Sequence, residues 1–143
     1  MSGGNAAHVQ VMFERSDFIR SLGIKLTGVG DGWCEATFIP SERHRQQHGF
    51  IHAGVVYTLA DHVAGGAAGT VLAPDKDVIT VENKISYLRP AIGESLRCRG
   101  VVLRGGKNLI FAEAEVFATH KGEEKLVAKL ISTLSVIPNQ ITG

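Results

Sequence analysis

One acidic side chain, Asp61, lies in the most apolar part of the chain. The segment His52–Leu72 reads HAGVVYTLADHVAGGAAGTVL, and no other carboxylate occurs between Glu42 and Asp75. Burying a carboxylate without partners costs several kcal/mol, so a fold keeps such a group more readily when it has a chemical task. The alternative is structural, with Asp61 pairing with His62 or capping a neighbouring backbone amide.

The start of the same segment has the features of an oxyanion site. None of the favoured capping residues stands just before Ala53, so we expect the first amides of a helix there to lack internal partners. Free amides at the positive end of a helix dipole suit a negatively charged oxygen. Asp61 lies about 11 Å further along the axis, which is too far to serve the amides of its own helix. If two such helices pack antiparallel across a two-fold axis, Asp61 of one subunit approaches the helix start of the other.

Three histidines upstream of the helix suggest a second kind of chemistry. His44, His48 and His52 are spaced by four residues, as on one face of a metal-binding helix. The polar composition of residues 41–51, with Gly49 inside it, predicts a loop instead of a continuous helix. We therefore expect no metal site.

The elements that hold these residues follow from hydrophobic periodicity. Helical spacing of apolar residues predicts an N-terminal helix over Val9–Leu22, ended by Gly23, and the long apolar segment predicts a second helix. In the last two strands, apolar residues share one parity and present a single face. The predicted fold class is α+β, an antiparallel sheet of about six strands with the long helix against one face. The expected strands are Ile24–Val29, Trp33–Ile39, Val78–Leu88, Ser95–Leu103, Leu109–His120 and Lys125–Ile137.

Length, charge and cysteine usage narrow the class of protein. A chain of 143 residues fits one domain over 1–143, with residues 1–7 as a flexible tail. The formal net charge of +1 gives no global field for nucleic acid or an anionic membrane. A membrane span over the apolar segment is disfavoured because Asp61 and His62 lie at its middle. Cys34 and Cys98 lack CxxC spacing and read as reduced core residues, and without a secretion signal we expect a cytoplasmic protein.

Three stretches of the chain resemble a known family. The sequences GFIHAGVVYTLADHVAGGAA, TVENKISYLRPA and RGGKNLIFAEAEV are similar to the hotdog-fold thioesterases of the phenylacetate-degradation (PaaI) type, over about Phe18–Val136. The resemblance implies a central helix wrapped by the sheet. It also implies a homodimer with a continuous sheet and two shared sites at the interface, with dimers pairing into a homotetramer.

The resemblance also implies roles for individual residues. Asp61 matches the catalytic carboxylate, which acts as general base on water or as nucleophile on the thioester carbonyl. The other matched positions are the oxyanion amides of Ala53 and Gly54, the motif histidine His52, the positioning hydroxyl Thr80, and Gln46 near the thioester. Ala53 replaces the first glycine of the usual His-Gly-Gly, and Gln46 is longer than the commoner asparagine. Because any residue but proline keeps the amide donor, the first change affects packing and substrate width more than chemistry.

The implied substrate is an acyl-CoA, with an aryl-acyl group suggested by the family alone, and the products are the free acid and CoA. Arg104 and Lys107 on a predicted hairpin turn, and Arg89 before Pro90, are candidates for the CoA phosphates. No cofactor is expected. Two other functions stay open: a non-catalytic acyl-CoA binding module, and a hydratase or dehydratase of acyl thioesters.

Overall fold

The computed structural model describes residues 3–139. Its strands alternate between buried and more exposed residues, so the sheet has one apolar face. Six strands form one antiparallel sheet in the order β1-β2-β4-β5-β6-β3, so β1 and β3 are its edges. This is the α+β arrangement that the periodicity predicts, with the central helix against the sheet as the family resemblance implies. The helices are α1 Gly3–Glu14, α2 Asp17–Leu22 and α3 Ala53–Gly69, with a 3-10 turn at Glu42–His44, and the strands are β1 Lys25–Gly30, β2 Trp33–Phe38, β3 Lys76–Tyr87, β4 Ser95–Gly105, β5 Leu109–His120 and β6 Glu123–Pro138.

The inner face of the sheet is apolar and carries small side chains at its centre. In β5, every second residue from Ile110 to Ala118 is buried, which confirms the predicted parity. Three of these five residues are alanines, so α3 can lie close to the sheet. At Gly100 a Cβ would stand 2.9 Å from the Val63 carbonyl oxygen, which shows how closely the helix backbone approaches β4.

Helix α3 is enclosed on most of its surface, as the lack of a polar face predicts. Its residues from Val63 to Gly69 are all buried, between the sheet on one side and α1 on another. Gly66 and Gly69 allow the close approach of Phe13 and Met12 from α1. Within residues 3–139, no helix combines the length and the apolar character needed to cross a membrane.

The N-terminal part differs from its prediction in two ways. The expected helix over Val9–Leu22 is two helices, because the Ser16 hydroxyl accepts a hydrogen bond from the Ile19 amide and starts a new helix. Gly23, with φ of 80°, ends α2 as predicted. Of the expected tail over 1–7, residues 3–7 belong to α1, and residues 1 and 2 lie outside the described range.

A β-bulge sets the direction of two polar side chains on β3. Residues three apart in a regular strand face opposite sides of the sheet. The register shifts between Thr80 and Glu82, which leaves Val81 unpaired. Thr80 therefore pairs with Leu134 and Asn83 with Ser132, two inward-facing and buried residues of β6. Both Thr80 and Asn83 consequently face α3.

The two cysteines occupy the core. Cys34 and Cys98 are buried and unbridged, as predicted. Burial, assisted by the nearby Glu35 carboxylate, raises the pKa of the Cys34 thiol to about 12. Both thiols are therefore protonated and shielded, and they do not contribute reactive groups.

The close approach of β4 to α3 predicts different effects at two glycines of the same strand. Gly100→Ala should lower the free energy of unfolding by about 1–3 kcal/mol, because the new methyl group meets the backbone of Val63. Gly105→Ala is the control, since its Cβ would lie 3.6 Å from a methyl of Val71, an ordinary contact. Urea denaturation of both variants measures the difference, and equal stabilities would contradict the close packing described here.

Candidate active site

The carboxylate of Asp61 is half-buried and is held from the edge strand. Its Oδ1 accepts hydrogen bonds from Thr80 Oγ1 at 3.0 Å and from Asn83 Nδ2 at 2.7 Å. The structure thus brings Thr80 to the carboxylate, as the resemblance implies. Asp61 Oδ2 has no hydrogen-bond partner within residues 3–139. One oxygen is fixed by two donors, and the other is open to water or a ligand.

The neighbouring histidine points elsewhere. His62 Nε2 lies 3.1 Å from the Met12 carbonyl oxygen, and its ring meets Phe13 edge-on at a centroid distance of 4.5 Å. Burial lowers the pKa of His62, although the Met12 carbonyl and the Asp61 charge act in the opposite direction. His62 ties α1 to α3 while Asp61 is bonded to β3. The structural alternative, an Asp61–His62 pair, is therefore not what these side chains form.

Asn83 and Tyr57 belong to the same cluster, and Asn83 was not predicted as a site residue. Asn83 Nδ2 also lies 2.9 Å from the Tyr57 hydroxyl oxygen, one helical turn before Asp61. An asparagine inside the strand TVENKISYLRPA was the available signal. Regular alternation would have placed it on the opposite face from Thr80, which is why the pattern did not reveal it.

The helix start is capped, which corrects one prediction. His52 is the N-cap, and its Nδ1 accepts a hydrogen bond of 2.8 Å from the Gly54 amide. The expectation that the first amides lack internal partners is therefore wrong for Gly54. An imidazole nitrogen takes the place of the usual oxygen acceptor. No acceptor for the Ala53 amide occurs among the residues that the structure describes, so this donor is open at the positive end of α3.

A cavity of about 420 Å³ opens at this helix start. Four residues predicted for the site line it, namely Gln46, His52, Ala53 and Arg89. Its other walls are largely apolar and are formed by residues from the preceding loop, α3 and the sheet. They include Phe50, Ile51, Val56, Tyr87, Pro90, Ala91 and Val127. Such a lining suits an apolar group beside a few polar contacts.

The side-chain amide oxygen of Gln46 is hydrogen-bonded within its own loop. Its Oε1 accepts hydrogen bonds from the backbone amides of His48 and Phe50. Within residues 3–139, Nε2 has no acceptor, so Gln46 presents a donor at the cavity. The two bonds fix the side chain before any ligand arrives.

The three histidines upstream of α3 each contact different groups. His44 is buried, with Nδ1 accepting from the Ser41 amide at 2.9 Å, and His52 Nδ1 is used at the helix cap. Desolvation lowers the pKa of His44. His48 lies beside Phe50 at a centroid distance of 6.5 Å. Across residues 3–139, no group of three metal-binding side chains is found.

The candidate phosphate-binding cations lie near opposite ends of α3. Arg89 lines the cavity at the helix start and donates to the Leu126 carbonyl at 2.7 Å. Lys107 lines a cavity of about 300 Å³ beside Val71 and Leu72, just beyond the opposite end of α3. Arg104 is exposed near the end of β4 that leads into the same turn. One chain does not bring the three cations together.

The two halves of the candidate site are also apart within one chain. Asp61 follows Ala53 by two turns of α3, about 12 Å along the axis, and does not line the cavity at the helix start. Ala53, Tyr57 and Asp61 nevertheless share one helix face, because they are spaced by four residues. Both ends of this face are accessible, and β3 beside it is a sheet edge.

Comparisons with known proteins identify the family of this fold. Residues 48–125, more than half of the chain, match the family described as the Thioesterase superfamily. A solved thioesterase family protein from Silicibacter pomeroyi is 33% identical, with a TM-score of 0.92 over 94% of this chain and 99% of that one. Human acyl-coenzyme A thioesterase 13 is 29% identical over 85% of this chain and 86% of its own length.

A more distant neighbour shows the same fold. The PaaI protein of the E. coli phenylacetic acid degradation operon is 21% identical, with a TM-score of 0.86 over 99% of both chains. The family match covers α3, β3, β4 and β5, which carry most of the residues described above. The chain therefore belongs to the thioesterase superfamily and is a thioester hydrolase of the hotdog fold.

Proposed function

We propose that this protein hydrolyses an acyl-CoA thioester to the free acid and CoA, with Asp61 as the reacting carboxylate. The observation that carries the proposal is the asymmetric Asp61 carboxylate, held at Oδ1 by Thr80 and Asn83 and open at Oδ2. The similarity to human acyl-coenzyme A thioesterase 13 supports the choice of CoA ester. An aryl-acyl group and a cytoplasmic location remain predictions from the sequence.

The active site is proposed to form between two copies of the chain. One chain separates Asp61 from the open amide of Ala53 by two helical turns, and a rigid helix cannot close that distance. The edge strand β3 offers unpaired backbone groups and two exposed apolar side chains, Ile79 at 53% and Val81 at 60%. Antiparallel pairing of two such edges would set Asp61 of one subunit near Ala53 of the other. Association of these dimers into tetramers stays a prediction.

In the proposed reaction the thioester carbonyl oxygen accepts a hydrogen bond from the Ala53 amide. The Gly54 amide is bonded to His52 and keeps the helix start in shape. Asp61 takes a proton from water as the water oxygen bonds to the carbonyl carbon, and negative charge collects on the oxygen at the amide. The C–S bond then breaks, and the proton passes to the sulfur of CoA.

A direct attack by Asp61 reaches the same products. The carboxylate then bonds to the carbonyl carbon and expels the CoA thiolate, and water cleaves the mixed anhydride that results. Gln46 Nε2, which is free to donate at the cavity, would hold the thioester in either route. Both routes consume one water for each thioester.

Removing the charge of Asp61 tests the central claim. Asp61→Asn should lower kcat for acyl-CoA hydrolysis by about 10³-fold or more, because the amide neither accepts the proton nor attacks. Asp75→Asn, an exposed position after α3, is the control and should keep wild-type kinetics. Thiol release over a panel of acyl-CoA esters is the measurement. Full activity in Asp61→Asn would remove the mechanism, and hydration of an enoyl-CoA or tight binding without thiol release would favour the alternative functions.

A complementation experiment tests whether the site is shared. Ala53→Pro removes the open amide at a helix position that accepts proline, and His52, with φ of −59° and ψ of 136°, already has the backbone that proline requires before it. We expect each of Ala53→Pro and Asp61→Asn to be nearly inactive alone. Heterodimers isolated through two different tags should regain about half of the wild-type rate, because one of their two sites combines intact groups from both chains. A site within one chain would regain nothing.

The role of the turn cations is tested with a truncated substrate. The double variant Arg104→Ala/Lys107→Ala should raise KM for an acyl-CoA about tenfold or more, since charged hydrogen bonds to phosphate are lost. The N-acetylcysteamine ester of the same acid has no phosphate, and its kinetics should not change. Equal effects on both substrates would show that these side chains do not meet the CoA phosphates. Arg89→Ala, assayed in the same way, tests the third cation.

A further inference from the structure

Asn83 gives both of its amide hydrogens to residues of α3. Its Nδ2 lies 2.7 Å from Asp61 Oδ1 and 2.9 Å from Tyr57 Oη. We propose that Asn83 is a positioning residue for Asp61, which fixes Oδ1 so that Oδ2 alone is available to the thioester or to water. This role rests on the proposed function of Asp61 and adds a residue that the family resemblance does not supply.

The charge of Asp61 determines how the Asn83 amide is oriented. If the amide were turned over, its Oδ1 would face the carboxylate, and two acceptors would meet without a hydrogen between them. A hydrogen bond to a charged acceptor is also stronger than one between neutral groups. The carboxylate therefore selects the orientation in which Nδ2 faces it.

The carbonyl oxygen of Asn83 shows that packing does not explain this residue. Asn83 Oδ1 is buried and lacks a hydrogen-bond partner among the residues that the structure describes. An unpaired buried acceptor destabilises a fold, and a leucine of similar size would occupy the same space without that penalty. Asn83 uses both of its donors and leaves its acceptor unpaired. Its role is therefore to hold the two oxygens that accept its hydrogens, those of Asp61 and Tyr57.

Tyr57 completes the arrangement on the helix side. It lies one turn from Asp61, and its oxygen accepts the second Asn83 hydrogen, so the amide is held at two points. Thr80 supplies the other donor to Asp61 Oδ1. Rotation of the carboxylate would break two hydrogen bonds together, so the position of Oδ2 is fixed before substrate binds.

Replacing Asn83 by leucine separates positioning from packing. Asn83→Leu should lower kcat about 10- to 100-fold while KM changes less than about twofold, because the carboxylate is needed in place mainly in the transition state. The melting temperature should change little, because losing the unpaired Asn83 acceptor offsets the loss of one donor to Asp61, which keeps its bond from Thr80. The matched control is Ser132→Ala, at the cross-strand partner of Asn83, which is also buried with an unpaired oxygen and makes no bond to Asp61. Its kcat should stay within about twofold of the wild type.

Coupling to Asp61 provides the decisive readout. In an Asp61→Asn background, Asn83→Leu should change the residual rate less than about twofold, since residues that act as a unit are not additive. The same loss in both backgrounds would assign Asn83 a structural role and overturn the inference. An unchanged kcat in Asn83→Leu, with Asp61→Asn impaired, would also overturn it while leaving the proposed function intact. Full activity of Asp61→Asn would remove the proposed function and this role together.

Discussion

A carboxylate on an enclosed helix must find hydrogen-bond donors outside that helix. The backbone amides around Asp61 are already paired within α3, so they offer nothing to a side chain at that point. The donors come from β3, where the hydroxyl of Thr80 and the amide of Asn83 converge on one oxygen. The placement of the edge strand against the helix is therefore the contact that makes a charged Asp61 tolerable, and it also leaves one oxygen free.

The rest of the fold keeps that contact in place. Small residues on β5 and Gly100 of β4 let the helix lie close to the sheet, and α1 packs against another side of the helix at Gly66 and Gly69. His62 joins α1 to α3 through the Met12 carbonyl, which turns its ring away from Asp61. The apolar enclosure and the polar cluster thus use different faces of one helix.

The same rigidity separates the carboxylate from the helix start. Two turns of helix lie between Asp61 and Ala53, and the cavity at Ala53 contains neither Asp61 nor Thr80. Asp61 and Ala53 lie on one accessible face of α3, next to an edge strand, which supports the proposal that a second copy of the chain completes the site. The cap made by His52 then has a clear purpose, since it fixes the loop and leaves the Ala53 amide as the donor.

Local patterns in the sequence were enough for the fold class and for the central residue. The parity of apolar residues in β5, the lack of a polar face on α3 and the stop at Gly23 each depend on neighbours in the chain, and each is confirmed. In β6 the predicted parity fails at Leu126, because a register shift beside Val127 pairs Leu126 with the outward-facing Phe117. Asp61 stood out for the same reason, as one charge in an apolar helix. The break at Ser16 and the helical residues 3–7 escaped notice, because a polar hydroxyl and weak periodicity do not fix a boundary without the packing of α1 on α3.

The partners of Asp61 were decided by tertiary structure alone. Asn83 faces the carboxylate because a bulge at Val81 shifts the phase of β3, and that shift depends on the register with β6, about fifty residues away in the chain. The edge position of β3 likewise arises from strand pairing between distant segments. Alternation reports which residues share a face only while the strand is regular. One unpaired residue reverses the face on which the following residues of the strand lie, and the sequence around it does not reveal this change.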